Sequence, residues 1–119
     1  MTGMSNQVLD LSIIDRLEKL GGKKLKTDLI QMYLDKTQDK MDIIHTGMKN
    51  AIYSDIEGAA HSLISSAGNL GGRLVSGLAV QLEAAAMEEN MDRIAQLLPE
   101  LDQAEKALQS SLRVELEKK

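Results

Sequence analysis

Apolar residues recur along this chain at three- and four-residue spacing, the period of one face of an α-helix. Ile13, Ile14, Leu17 and Leu20 form a first stripe within "LDLSIIDRLEKLGG". Ser12 is placed to cap it, with Asp15 three residues on, and Gly21-Gly22 supplies a left-handed stop. A second helix is expected over 23–49, with Leu25, Leu29, Met32, Tyr33, Met41, Ile44 and Met48 on its apolar face and a solvated stretch over 36–40. "NAIYSD" marks a junction, with Ser54 or Asp55 opening a third helix that runs into "GNLGG", a run of glycines that reads as a turn. Leu74, Val75, Leu78 and Leu82 stripe a fourth helix that ends near "MEEN". Ile94, Leu97, Leu101, Ala104, Leu108 and Leu112 stripe a last helical region beginning around Met91. Pro99 falls inside that region and is expected to kink it or to open a new segment as its first-turn residue.

Long helices joined by short connections predict an all-α fold: an antiparallel up-down four-helix bundle, with the short first helix as an N-terminal cap. Composition agrees, because with two Tyr, no Phe and no Trp the core has to be Leu, Ile, Met, Val and Ala. At 119 residues the chain makes one domain, expected as a bundle over 9–119 after a disordered lead-in over 1–8. No stretch approaches the ~20 apolar residues of a membrane span, and the N-terminus lacks a basic-then-apolar secretory pattern. A cytoplasmic location without membrane contact is the expectation. Cysteine is absent, which rules out disulfides and thiolate metal sites. A net charge of −4 and a pI near 5.1 argue against a nucleic-acid surface.

The third helix carries His61 among small residues. At ~100° per residue, Ile52, Ile56, Ala59, Leu63 and Ala67 lie opposite the imidazole and form the core stripe. On its own side lie Ser54, Gly58, Ser65 and Gly68, flanked by Glu57 and Ile64. Glycine inside a helix costs ~0.5–1 kcal/mol relative to alanine. The return is clearance, so that another protein can bring a reacting atom up to the ring. The same spacing of small residues also suits close packing of two helices, and helix geometry leaves both readings open. His61 has no Ser or Cys arranged with it as a triad and no second histidine at metal-ligand spacing on its helix; His45 falls on another helix, more in keeping with a structural or solvent-facing role than with a two-histidine metal site. A free imidazole can nonetheless act as a covalent nucleophile toward phosphorus. Since the chain has no nucleotide-binding loop, the phosphoryl group and its Mg²⁺ have to arrive on a partner.

"AHSLISSAGNLG", residues 60–71, resembles the central motif of the histidine-containing phosphotransfer (HPt) domains of bacterial phosphorelays, approximately A-H-x-L-K-G-x-x-x-x-L-G. "LDLSIIDRLEKLGG" is similar to the family's first helix, "LIQMYLDKTQDKMDIIHTGM" to its second, and "QLEAAAMEENMDRIAQLLPELDQAEKAL" to its closing pair. The likeness covers essentially the whole chain from Leu9. It implies that His61 accepts a phosphoryl group from a receiver-domain aspartate and passes it reversibly to another receiver, without autonomous kinase activity. The implied partners are receiver domains of response regulators or hybrid sensor kinases, which contribute the aspartate and Mg²⁺ and dock on the surface around the histidine.

Two positions depart from the pattern. The usual lysine three residues after the histidine is Ile64, and the usual glycine four residues after is Ser65. Ser65 stays small, and its hydroxyl could bond a phosphoryl oxygen. Ile64 cannot stabilise phosphoryl charge but adds apolar surface suited to docking, while Arg73 and Lys49 are candidates for the missing cation. Gly58, Gly68 and Glu57 complete the expected surroundings. The alternative function is an HPt-like interaction bundle that binds receivers without sustained phosphotransfer.

Overall fold

The computed structural model describes residues 7–118. Within them the chain forms α1 (Leu11–Asn50), α2 (Tyr53–Gly68), α3 (Arg73–Met87) and α4 (Met91–Glu117), with no strand. Residues 1–6 of the expected lead-in lie outside the described residues; Gln7 and Val8 are helical and Leu9 is buried. The short connections make sequential helices antiparallel neighbours, and α1 also meets α4, so the bundle closes on itself.

α1 is two arms broken at Gly22, whose φ of 79° and ψ of −178° no helix contains. The short arm is therefore the N-terminal cap expected from the sequence. Lys26 on the long arm reaches back to Glu18 on the short one, Nζ to Oε1 at 2.9 Å, and fixes the break. That contact, with Lys23 nearby, holds the Glu18 carboxyl below its usual range, the Lys26 hydrogen bond acting most strongly. The helix start differs from the expected Ser12 cap. Asp10 caps instead, its Oδ1 accepting from the Ser12 amide at 3.1 Å and the Ser12 hydroxyl at 2.6 Å. The Asp10 amide also donates to the Gly71 carbonyl at 2.8 Å, so this cap is tied to the α2–α3 turn.

The core holds Ile14, Ile30, Ile44, Ile56, Leu63, Leu82, Ile94, Leu97, Leu101, Leu108 and Leu112, all essentially without solvent contact. Leu20, Met32 and Ile52, expected on apolar faces, are exposed instead. Leu20 sits beside the break and Ile52 in the α1–α2 connection, where the helical phase no longer points inward. The 36–40 stretch is not uniformly solvated either. Thr37 is buried, and its hydroxyl donates to Glu105 Oε1 at 2.8 Å while the Tyr33 hydroxyl donates to Oε2 at 2.6 Å. A buried carboxylate is tolerable when both oxygens are so occupied.

α2 starts at Tyr53, ahead of the expected Ser54 or Asp55, and has no side-chain cap. Ala51 takes a left-handed conformation and the Ile52 amide closes onto the Gly47 carbonyl at 2.8 Å, which puts Ile52, a residue with no side-chain acceptor, at the N-cap. α4 is capped by Asn90, whose side chain accepts from the Arg93 amide. It runs unbroken through Pro99, so no new segment begins there. The proline faces solvent, as does Ala95 one turn back, so water can satisfy the carbonyl it leaves without a donor.

Candidate functional site

α2 and α3 form a hairpin whose turn depends on two glycines. Gly71 has a φ of 88°, and a Cβ there would stand 2.7 Å from the Asp10 carbonyl oxygen. A Cβ on Gly72 would stand 2.6 Å from a Leu108 methyl. The tight turn brings the middle of α2 against the second half of α3. There the imidazole of His61, with its side chain 73% exposed, meets the half-buried carboxylate of Glu83: Nδ1 to Oε2 is 2.6 Å. A carboxylate only accepts, so Nδ1 carries the proton, and in the neutral ring Nε2 is the nitrogen with the free lone pair. Serine hydroxyls are poor nucleophiles without such help, whereas an imidazole held in this tautomer needs no further base.

Ser54, Glu57, Gly58, His61, Glu83 and Met87 line an open depression of about 610 Å³. A Cβ added at Gly58 would meet nothing within 4 Å, so this glycine leaves open space beside the ring. Gly68 does something different. A Cβ there would come within 3.2 Å of the Ser76 hydroxyl, which donates to the Ile64 carbonyl at 2.8 Å. Both readings of the small-residue strip thus hold, at different positions: clearance at Gly58, close helix packing at Gly68.

The other expected residues separate in the same way. Glu57 lies at the depression; Ser65 is exposed one helical turn beyond His61. Ile64 is half-buried and packs against the core, so it presents less apolar surface than its position suggested. Arg73 is exposed but ion-paired with Asp10 at the hairpin turn and does not line the depression; nor does Lys49. The Ser12 hydroxyl first, then the Ser12 amide and after it Arg73, hold the Asp10 carboxyl below its usual range. The depression therefore has two carboxylates and no cation. His45 is bonded elsewhere, Nε2 to Asp102 Oδ1 at 2.8 Å, across the α1–α4 seam. No group of three or more His, Asp or Glu among the described residues could hold a metal ion.

Glu83 and Met87 were not singled out from the sequence. Glu83 carried a signal, being the one acid in "RLVSGLAVQLEAAAM". What the sequence withholds is the hairpin register that sets it opposite His61.

The arrangement is thus an exposed imidazole held from a neighbouring helix on the surface of an all-α bundle. The Hpt domain family model matches residues 28–111, and the chain belongs to that family. Its fold is similar to that of histidine-containing phosphotransfer protein B (HptB) from Pseudomonas aeruginosa PAO1, with a TM-score of 0.85, 17% identity, and coverage of 91% of this chain and 93% of that one. No curated protein matches the sequence significantly. Membership supports a phosphotransfer role in two-component phosphorelay; Hpt proteins are phosphocarriers rather than kinases, and their domains interact with receiver domains. No helix among the described residues is long and apolar enough to cross a membrane.

Proposed function

We propose that His61 is the phosphoacceptor of a phosphorelay intermediate, taking its phosphoryl group from the aspartyl phosphate of one receiver and delivering it to another. The observation that carries this reading is the His61–Glu83 hydrogen bond, which leaves Nε2 free on an exposed ring. In the forward step Nε2 forms a bond to phosphorus as the aspartate oxygen–phosphorus bond breaks, and the aspartate leaves as a carboxylate. The proton stays on Nδ1, and Glu83 balances the positive charge that the ring acquires. Because the reaction needs mainly positioning and charge neutralisation, and the depression holds no cation of its own, the receiver is assigned the Mg²⁺ as well as the aspartate. Gly58 leaves space for that approach; Glu57, Ser65 and the visible part of Ile64 surround it.

The test is transfer from a phosphorylated receiver to the full chain, followed by acid treatment. The expected label is acid-labile and alkali-stable, as a phosphoramidate is, and His61→Gln removes it. Label retained in His61→Gln overturns the assignment. The absence of a lysine at position 64 favours a second reading, receiver binding without sustained transfer. It predicts undiminished binding by His61→Gln together with negligible labelling of the parent chain.

A further inference from the structure

A second depression, of about 290 Å³, lies between the two arms of α1 and the end of α2. Leu17, Leu29, Met32, Tyr33 and Leu70 give it apolar walls. Ser66 also lines it, and its hydroxyl oxygen is buried with no hydrogen-bond partner among the described residues. Lys36 and Lys40, one turn apart on the long arm, stand at the same depression, and neither has an ion-pair partner among the described residues.

The charge pattern singles this place out. The chain is acidic overall, at −4. Four other surface depressions each hold at least one carboxylate, respectively Glu115, Glu117, Asp102 and Glu57. This one holds two ammonium groups and no acid. A volume of 290 Å³ is at the small end of ligand pockets, which run from about 300 to 1,000 Å³. That volume suits a small molecule.

We infer that the depression walled by Leu17, Leu29, Met32, Tyr33 and Leu70 binds a small amphipathic carboxylate, its apolar body against these side chains and its anionic head at Lys36 and Lys40. Medium-chain or single-ring acids are the class that fits. The site shares no lining residue with the His61 depression and does not depend on the phosphoryl-carrier reading.

The test is a titration of the ¹⁵N-labelled full chain with octanoate, and in parallel with octanol and octylammonium. Octanoate is expected to saturate and to shift the amides of Ser66, Asn69, Leu70 and Lys36. Exposed ion pairs are individually weak, so the anion is expected to bind about five- to tenfold more tightly than the alcohol. The Lys36→Ala/Lys40→Ala double variant, altered only at surface ammoniums, is expected to lower octanoate affinity to that of octanol. Met32→Trp, which fills the pocket from an exposed position, is expected to abolish both. Equal affinity for octanoate and octylammonium, shifts confined to other helices, or no saturation overturns the inference.

Discussion

His61 is set by one side chain more than by any other. Glu83 fixes the tautomer and aims the ring, and hydrogen bonds to charged groups are worth ~1.5–3 kcal/mol. Glu83→Ala is therefore expected to slow phosphoryl transfer about ten- to a hundredfold while leaving the fold intact; a transfer assay with a phosphorylated receiver, read beside circular dichroism, checks both parts. Gly58 permits a sharper separation of stability from access. Its Cβ would enter open space, so Gly58→Ala is expected to stabilise the protein by about 0.5–1 kcal/mol in denaturant unfolding. The same methyl stands beside the ring, and transfer is expected to fall even as stability rises. At position 64 the half-buried isoleucine can give way to a lysine whose stem keeps the apolar contact and whose ammonium reaches solvent. Ile64→Lys is expected to lengthen the lifetime of the phosphohistidine, measured by loss of label over time.

At the scale of elements, the α2–α3 turn and the start of α1 act as one joint. Gly71 is in a left-handed conformation under the Asp10 carbonyl. Gly71→Ala meets both a backbone clash and an unfavourable φ, and is expected to cost about 2 kcal/mol or more in unfolding free energy. Asp10 makes the joint pH-dependent. Its carboxyl is held below the usual range by the Ser12 hydroxyl first and by Arg73 after it. A lowered folded value means the contribution is present above the ordinary aspartate range and is lost as pH falls through the folded value. Asp10→Asn is accordingly expected to flatten the acid limb of a stability–pH curve below about pH 4 without changing its neutral plateau's shape.

For the molecule as a whole, the buried polar tie between α1 and α4 is Tyr33 and Thr37 on Glu105. Burial first, then the charge of Glu105 and its hydrogen bond, push the Tyr33 hydroxyl well above its ordinary value. A raised folded value means the stability is complete below the unfolded tyrosine pKa of about 10 and declines as pH rises beyond it. Tyr33→Phe is expected to remove much of that alkaline loss, seen as a flatter unfolding profile above pH 10, while lowering stability at neutral pH by leaving one Glu105 oxygen short of a donor.

The sequence alone determined the all-α class, the helical stripes, the break at Gly22 and the exposure of His61, because each follows from local periodicity or from a residue with one permitted backbone state. It misplaced Leu20, Met32 and Thr37, since a stripe on a helix names a face but not which neighbour covers it. Asp10 as the first cap, Arg73 as its partner rather than a companion of His61, and Gly68 as a packing position depend on contacts between residues far apart in sequence. So does Glu83. Periodicity can put a carboxylate on α3, but only the hairpin's register, fixed by a turn with no room for a Cβ at Gly71 or Gly72, decides that it meets the imidazole.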